Sequence, residues 1–343
     1  MIYKKLEELL DYEQPNNYIV EDTKYDDKYK TPVLTAGQSF ILGYTNEENN
    51  IFKAKTNPVI IFDDFTTSSK YVDFDFKVKS SAMKILKAKD GVNIKYVYYL
   101  MQTIKFDNQL HKRYWISTYS KIKVPIPNIG IQDEIVKKLD LITKIVVDKQ
   151  EQLQALNLLI KSQFVEMFER GQYPKDEFIN IAKEIYAGGD KPKDISKVKE
   201  GEYLYPVFAN GYENEGLQGY SKVHRTGESA VTISARGTIG YSFIRNEKFT
   251  PIVRLITIIP NEKANVVYLK YAIDNLNISG SGTSQAQLTV PDIKKKKIIV
   301  PPIELQNKFA EFVKQIDKQK FEIENSLKEM QELYESLMEK YFG

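Results

Sequence analysis

Two stretches of this chain place apolar residues at alternating steps of three and four. In the first, Ile135, Leu139, Ile142, Val146, Leu153, Leu156, Ile160, Phe164 and Met167 recur in this way, and Lys149 alone interrupts. In the second, Phe309, Val313, Ile316, Ile323, Leu327, Met330, Tyr334, Leu337 and Tyr341 repeat the rhythm, with Lys320 at the corresponding break. A spacing averaging about 3.5 residues is that of a coiled-coil seam, narrower than the apolar face of a globular helix. At ~1.5 Å rise per residue, a helix of roughly 35 residues spans about 50 Å, more than the width of an ordinary domain. The simplest arrangement packs the two helices antiparallel, as a rod separating two domains. Gly171 with Pro174 ends the first helix and starts the second domain.

Outside the helices the pattern shortens. Pro58-Val-Ile-Ile-Phe-Asp63 and Ser229-Ala-Val-Thr-Ile-Ser234 are β-branched or aromatic runs bounded by Gly, Asn and Pro, which predict strands. A short helix follows in each case, around Tyr96–Thr103 and Tyr268–Asn275, and then a last strand ending at a Val-Pro element. These pairs belong to one internal repeat. Tyr29-Lys-Thr-Pro-Val-Leu-Thr-Ala-Gly37 lies over Tyr203-Leu-Tyr-Pro-Val-Phe-Ala-Asn-Gly211, and Gly43-Tyr44 over Gly219-Tyr220. Ile94–Leu100 lies over Val266–Ala272, and Ile122-Lys-Val-Pro-Ile-Pro127 over Ile298-Ile-Val-Pro-Pro302. Gln132 and Gln306 each open a long helix, and Phe168 and Phe342 fall at the same offset from them. Many anchors in one order predict a duplicated α+β architecture with an internal pseudo-two-fold repeat.

Composition narrows the chemistry. The 343 residues suffice for two domains, and a 42% hydrophobic fraction supports true cores. Cys is absent and His numbers 2 (His111 and His224), which excludes disulfides and a Cys/His zinc site and argues against His-based catalysis. His224 sits in a polar turn and reads as structural or solvated. The net charge of +3 is small, and the Lys294–Lys297 run reads as a solvated face. The first residues lack the apolar core of a signal peptide, and the longest apolar stretch, Ile252–Ile259, is interrupted by Arg254 and Thr257, so a cytoplasmic protein is expected.

Enzymatic motifs are scarce. There is no phosphate-cradling loop, and no Asn/Asp-Pro-Pro-aromatic tetrapeptide of the amino-methyltransferases. Ser279–Ser284 is Gly-rich but follows a helix, as a flexible loop would. Asp64 with Asp75-Phe-Lys77 resembles the carboxylates and lysine of a Mg²⁺-dependent nuclease, yet acid-x-Lys is common in Lys-rich chains and the other half has no matching acids.

Polar, cationic and aromatic residues after strand ends point instead to nucleic acid. In the first half these are Thr66, Thr67, Ser68 and Lys70, with Lys112, Arg113, Tyr114 and Trp115 in the basic, aromatic stretch further on. In the second half they are Ser234, Arg236, Gly237 and Thr238, followed by Ser281, Thr283, Ser284, Gln285 and Gln287. Arg236 offers a bidentate fork beside a glycine that lets backbone approach a groove, and Gln amides suit adenine. Halves that share a framework but differ in these loops read as two binders of different sequences.

The order of strand-rich domain, Val-Pro turn, Gln-led long helix and then the whole unit again resembles the specificity subunit of Type I restriction–modification enzymes. Val231-Thr-Ile-Ser-Ala-Arg-Gly-Thr-Ile-Gly240 and Ile298-Ile-Val-Pro-Pro-Ile-Glu-Leu-Gln306 are similar to that family's target-recognition domain and its junction to the conserved helix. The first half departs, with Asp63-Asp64-Phe65-Thr66 in place of Ser-Ala-Arg-Gly and a junction two residues longer. The resemblance implies target-recognition domains at 1–128 and 176–303, each followed by a spacer helix, at 129–175 and 304–343. It implies a non-catalytic chain that binds a bipartite double-stranded DNA target. Its partners would be two modification subunits and, in the full complex, two restriction subunits. S-adenosylmethionine, Mg²⁺ and ATP would then sit on those partners, with no cofactor in this chain. A stand-alone DNA-binding protein and, further off, a Mg²⁺ nuclease are the alternatives.

Overall fold

The computed structural model describes residues 2–36, 39–107, 113–276, 278 and 287–343, and the statements below concern these. The chain forms two compact units, Met1–Lys149 with Ser326–Gly343, and Gln150–Asn325. In the first half the order is β1 (Ile2–Lys5), α1 (Leu6–Leu9), β2 (Leu10–Glu13), β3 (Thr31–Leu34), β4 (Ile41–Thr45), β5 (Val59–Asp63), β6 (Ser69–Val72), β7 (Lys77–Val78), β8 (Met83–Ala88), α2 (Ile94–Thr103), β9 (Lys123–Ile126) and the long α3 (Ile129–Phe164). In the second half it is β10 (Lys175–Glu177), α4 (Phe178–Ile181), β11 (Ala182–Ala187), β12 (Tyr205–Phe208), β13 (Leu217–Ser221), β14 (Ala230–Ile233), β15 (Ser242–Arg245), β16 (Thr250–Pro251), β17 (Ile256–Pro260), α5 (Val266–Asp274), α6 (Val290–Lys295), β18 (Lys297–Ile299) and the long α7 (Ile303–Phe342). No described helix is long and apolar enough to cross a membrane.

The repeat extends to the hydrogen-bond register. Each half has a four-stranded sheet (β2-β8-β5-β6 and β11-β17-β14-β15), a three-stranded sheet (β4-β3-β7 and β13-β12-β16) and a two-stranded ribbon (β1-β9 and β10-β18). Pro32 faces Tyr44 and Val33 faces Gly43, as Pro206 faces Tyr220 and Val207 faces Gly219, with a bulge one residue later in both. The predicted strands at 58–63 and 229–234 are β5 and β14, each buried along its whole length. Successive residues of a strand point to opposite faces. So Ile60 and Phe62 join a core with α2 and α3, while Val59 and Ile61 join a second core with Phe52 and Phe76.

The helices run as the seam predicts, α3 for 36 residues and α7 for 40, and α3 widens into a π turn over Val165–Glu169 before Gly171. Their ends belong to different cores. In the unit of residues 150–325, Phe164 and Phe168 from the end of α3 pack on Tyr268 of α5 and on Phe309 near the start of α7. In the other unit, Phe342 at the end of α7 packs on Tyr96 of α2, among Ile135 and Leu139 near the start of α3.

One junction recurs where the sheets of each half meet its long helix. Gln132 and Gln306 are buried in the first turns of α3 and α7. Gln132 accepts the Asn93 N–H (2.8 Å) and donates to the Pro127 carbonyl (2.9 Å). Gln306 accepts the Asn265 N–H (2.9 Å) and donates to the Pro301 (2.8 Å) and Lys263 (2.9 Å) carbonyls. Asn93 and Asn265 are in turn the N-caps of α2 and α5. Tyr96 and Tyr268 donate their hydroxyls to the Pro125 and Ile299 carbonyls. Burial pushes the Tyr96 phenol up to about 12 and raises Tyr268 as well, so both stay O–H donors at neutral pH.

One detail differs from the sequence reading. The last strand of the first half does not stop at its first proline: Pro125 lies within β9, opposite Tyr3, which a two-stranded ribbon tolerates because Pro needs only an edge without an N–H. The Lys294–Lys297 run lies at the surface, each residue half-buried or exposed, as the sequence reading has it. Lys294 and Lys295 close α6, which Thr289 and Asp292 cap at its start, so cations sit at the negative end of the helix dipole. Replacing Gln306 by Ala should strip partners from a buried N–H and two carbonyls and lower stability by about 2–4 kcal/mol. Amide hydrogen exchange should show the largest loss of protection in α5 and around Pro301.

Candidate functional site

In the second half, strand pairing sets Ala187, Ile256, Ile233 and Ser242 in one row across β11, β17, β14 and β15. The loops after β11, after β14 and before β17 therefore open at the same end of the sheet. Three of the predicted residues lie exposed in the loop after β14: Arg236, Gly237 (φ +68°, open space where a Cβ would stand) and Thr238. The fourth, Ser234, is buried and structural; its hydroxyl accepts the Gly211 N–H (3.2 Å).

The structure joins two stretches that sequence could only place side by side. Arg236 donates to the Gln287 side-chain oxygen through Nε (3.2 Å) and a terminal nitrogen (2.8 Å), and Leu288 N–H donates to the Ala235 carbonyl (3.0 Å). Gln287 thus fixes one edge of the guanidinium, and the remaining terminal nitrogen has no partner among the described residues. Ser281, Thr283, Ser284 and Gln285 lie outside the described residues. Beside this loop stand Tyr212 and Tyr241, rings 4.8 Å apart and 61% and 47% exposed. Behind them Arg245 is buried against the Phe208 ring, bonded to Thr232 Oγ1 (3.1 Å), the Glu215 carboxylate (2.8 Å) and the Glu215 carbonyl (2.6 Å). Burial pulls its guanidinium down to about 10, still charged at neutral pH, and it anchors the turn at Asn214 and Glu215, both at positive φ.

In the first half, Thr66 and Ser68 are exposed at the matching sheet end, Thr67 is half-buried at φ +61°, and Lys70 is exposed on β6. Thr66 donates to Asp63 (2.6 Å), which also accepts the Phe65 N–H (2.9 Å). Arg113 is exposed; Lys112 and His111 lie outside the described residues. Tyr114 and Trp115 are 2% exposed, so the structure corrects their reading as surface contacts. Trp115 packs on Phe62 and Tyr119, and Tyr114 on Phe106, because apolar area this large is worth more inside the core. Backbone pairing aligns the two halves here. Tyr114 N–H donates to the Asp64 carbonyl (2.9 Å) as Leu288 N–H does to Ala235, which puts Arg113 in the place of Gln287.

The same alignment explains Asp64. It is buried, 3.3 Å from the equally buried Lys84 ammonium, and accepts the Trp115 N–H (2.8 Å). The strand registers put Ala235 and Ile256 at the corresponding positions of the second half. One half closes its loop with an ion pair, the other with an apolar pair. The nuclease-like trio is not brought together: Asp75 bonds Lys53 (3.1 Å) and the Lys55 N–H (3.1 Å), and Lys77 is buried against Glu47 (2.7 Å) and the Asn49 carbonyl (3.0 Å).

With this geometry in view, residues 178–333 match the family model described as the Type I restriction modification DNA specificity domain. That match covers the second half of the chain, a little under half of its length. Among curated relatives, the EcoR124I/EcoR124II type I restriction enzyme specificity subunit of Escherichia coli is 50% identical over 159 residues, 43% of this chain and 39% of the relative. A type I specificity subunit of Mycoplasma pneumoniae, S.MpnORF507P, named as putative, is 35% identical over 139 residues, 40% of this chain and 38% of the relative. The matched stretches thus span about two fifths of these relatives' lengths. The crystal structure of a Type I system S subunit from M. genitalium superposes over 100% of this chain and 96% of its own, with a TM-score of 0.68 at 15% identity, which shows the shared fold.

Asn210, whose carboxamide accepts the Ala235 N–H (2.7 Å), is a loop residue that motif reading missed. The signal was in the repeat, where the first half has Ala36 at the matching position. Asp64→Ala should destabilise the chain by about 3–5 kcal/mol by stranding a buried ammonium. Adding Lys84→Ile, the pair the second half already uses, should recover most of that loss in thermal melts, the remainder reflecting the unpaired Trp115 N–H.

Proposed function

We propose that this chain is the DNA sequence-specificity subunit of a Type I restriction–modification enzyme. The observation that carries the reading is the repeat itself: one framework and one glutamine junction, used twice, with different side chains at the loop end of each four-stranded sheet. Its match to a DNA specificity domain supports the same conclusion. In this reading residues 1–128 and 176–303 are two target-recognition domains, each contacting one part of a bipartite asymmetric duplex. The helices at 129–175 and 304–343 form an antiparallel coiled coil that fixes the distance between the two parts. Arg236, steadied by Gln287, is the base reader of the second part, with Thr238 beside it. Arg113, Thr66, Ser68 and Lys70 are the polar set of the first.

Catalysis belongs to partners in this reading. Two modification subunits would dock on the helices and methylate adenine with S-adenosylmethionine, flipping the base out of the duplex. Two restriction subunits would complete the enzyme with ATP and Mg²⁺. A net charge of only +3 fits a subunit that shares phosphate contacts with its partners.

Mapping methylated adenines in cells that carry this chain with its modification partner should yield one bipartite motif with a fixed spacer; methylation independent of this chain would refute the reading. Arg236→Ala should weaken binding to one half of the motif by about 1–3 kcal/mol and leave the other half unaffected. Inserting one helical turn near Lys149 should lengthen the tolerated spacer, and an unaltered spacer would count against the helices as a ruler.

A further inference from the structure

The turn before β17 holds two consecutive non-glycine residues in the left-handed region, Val253 (φ +52°) and Arg254 (φ +60°). A β-branched residue is rare there, and such a conformation persists only where the surroundings over-determine it. Here they do. Val253 N–H donates to the Gly189 carbonyl (2.8 Å), Arg254 N–H to the Gly188 carbonyl (3.0 Å), and Gly188 N–H to the Leu255 carbonyl (2.8 Å). Gly188 admits this contact because a Cβ would stand 2.6 Å from the Ile252 nitrogen. The Val253 carbonyl accepts from the Asn210 side chain (2.7 Å), whose oxygen accepts the Ala235 N–H (2.7 Å). A single carboxamide therefore bridges the strained turn and the residue preceding Arg236.

The product of this construction is an exposed arginine. The Arg254 guanidinium has no hydrogen bond or ion pair among the described residues. Its turn opens at the same sheet end as Arg236, and the loops 188–193, 234–240 and 252–255 together carry Lys191, Lys193, Arg236 and Arg254 against Asp190 alone. Among the described residues of the first half none of this recurs: Ala36 stands for Asn210, and Ser80 and Ser81 occupy the turn without positive φ. A device present in one copy of a repeat serves what distinguishes that copy.

We propose that Arg254 is a second sequence-reading arginine of the second half, contacting a base edge next to the one read by Arg236, and that Asn210 is the positioning residue that holds both arginines in register. This rests on the reading of the chain as a DNA-specificity subunit.

The test is selection from a pool of fully randomised duplexes by the chain purified together with its modification partner, wild type and variants, followed by affinity measurements on the wild-type-selected duplex over a range of salt. Arg254→Ala should relax the selected sequence at one or two positions in one part of the motif and weaken binding about 5- to 150-fold. Asn210→Ala, with both arginines intact, should relax the positions of both, whereas a merely structural role would lower the melting temperature and leave the selected sequence unchanged. If Arg254→Ala selects the wild-type sequence at wild-type affinity, the proposal is wrong. A uniform loss with a shallower salt dependence and an unchanged sequence would assign Arg254 to a phosphate and equally overturn base reading. Wild type that enriches no sequence would overturn the DNA-specificity reading as well, and so separates the two failures.

Discussion

A buried glutamine in the first turn of each long helix is the interaction on which the rest of the molecule depends. Its amide satisfies an N–H on the α2 or α5 N-cap residue and a carbonyl in the Pro turn at the same time. A buried amide with both ends engaged is hard to replace, because any shorter or apolar side chain leaves several backbone groups without partners. The glutamine thereby sets the angle at which a helix of 36 or 40 residues leaves its sheet-bearing unit.

Within each unit, the framework and the loops answer to different forces. The framework is held by apolar strands buried on both faces and by aromatic helix ends packed on α2 or α5, and little of it can change without creating cavities. The loop ends are held by hydrogen bonds that different residues can supply. Asp64 with Lys84 and Ala235 with Ile256 close the same junction by opposite chemistry. Such interchangeability lets the exposed residues diverge between copies while the sheet beneath them stays the same.

Local strain marks where the copies diverge most. Val253 and Arg254 are held at positive φ by contacts to Gly188, Gly189 and Asn210, and the first half has no counterpart to them. Arg236 is likewise pre-oriented by Gln287 rather than left to search. Fixing cationic side chains before a ligand arrives reduces the ordering cost of binding.

The sequence by itself determined the duplication, the long seam helices, the β5 and β14 strands and the role of Gln132 and Gln306 as helix openers. Each of these is a periodic or repeated pattern of burial, and burial is written in residue type. It also placed Arg236 and Gln287 in separate variable loops. Only the tertiary structure decided that these two touch, that Tyr114 and Trp115 are core rather than surface, and that Asn210 spans two loops. Those outcomes depend on which strand ends share a row of the sheet, and strand order with register is a property of long-range pairing that no local pattern contains.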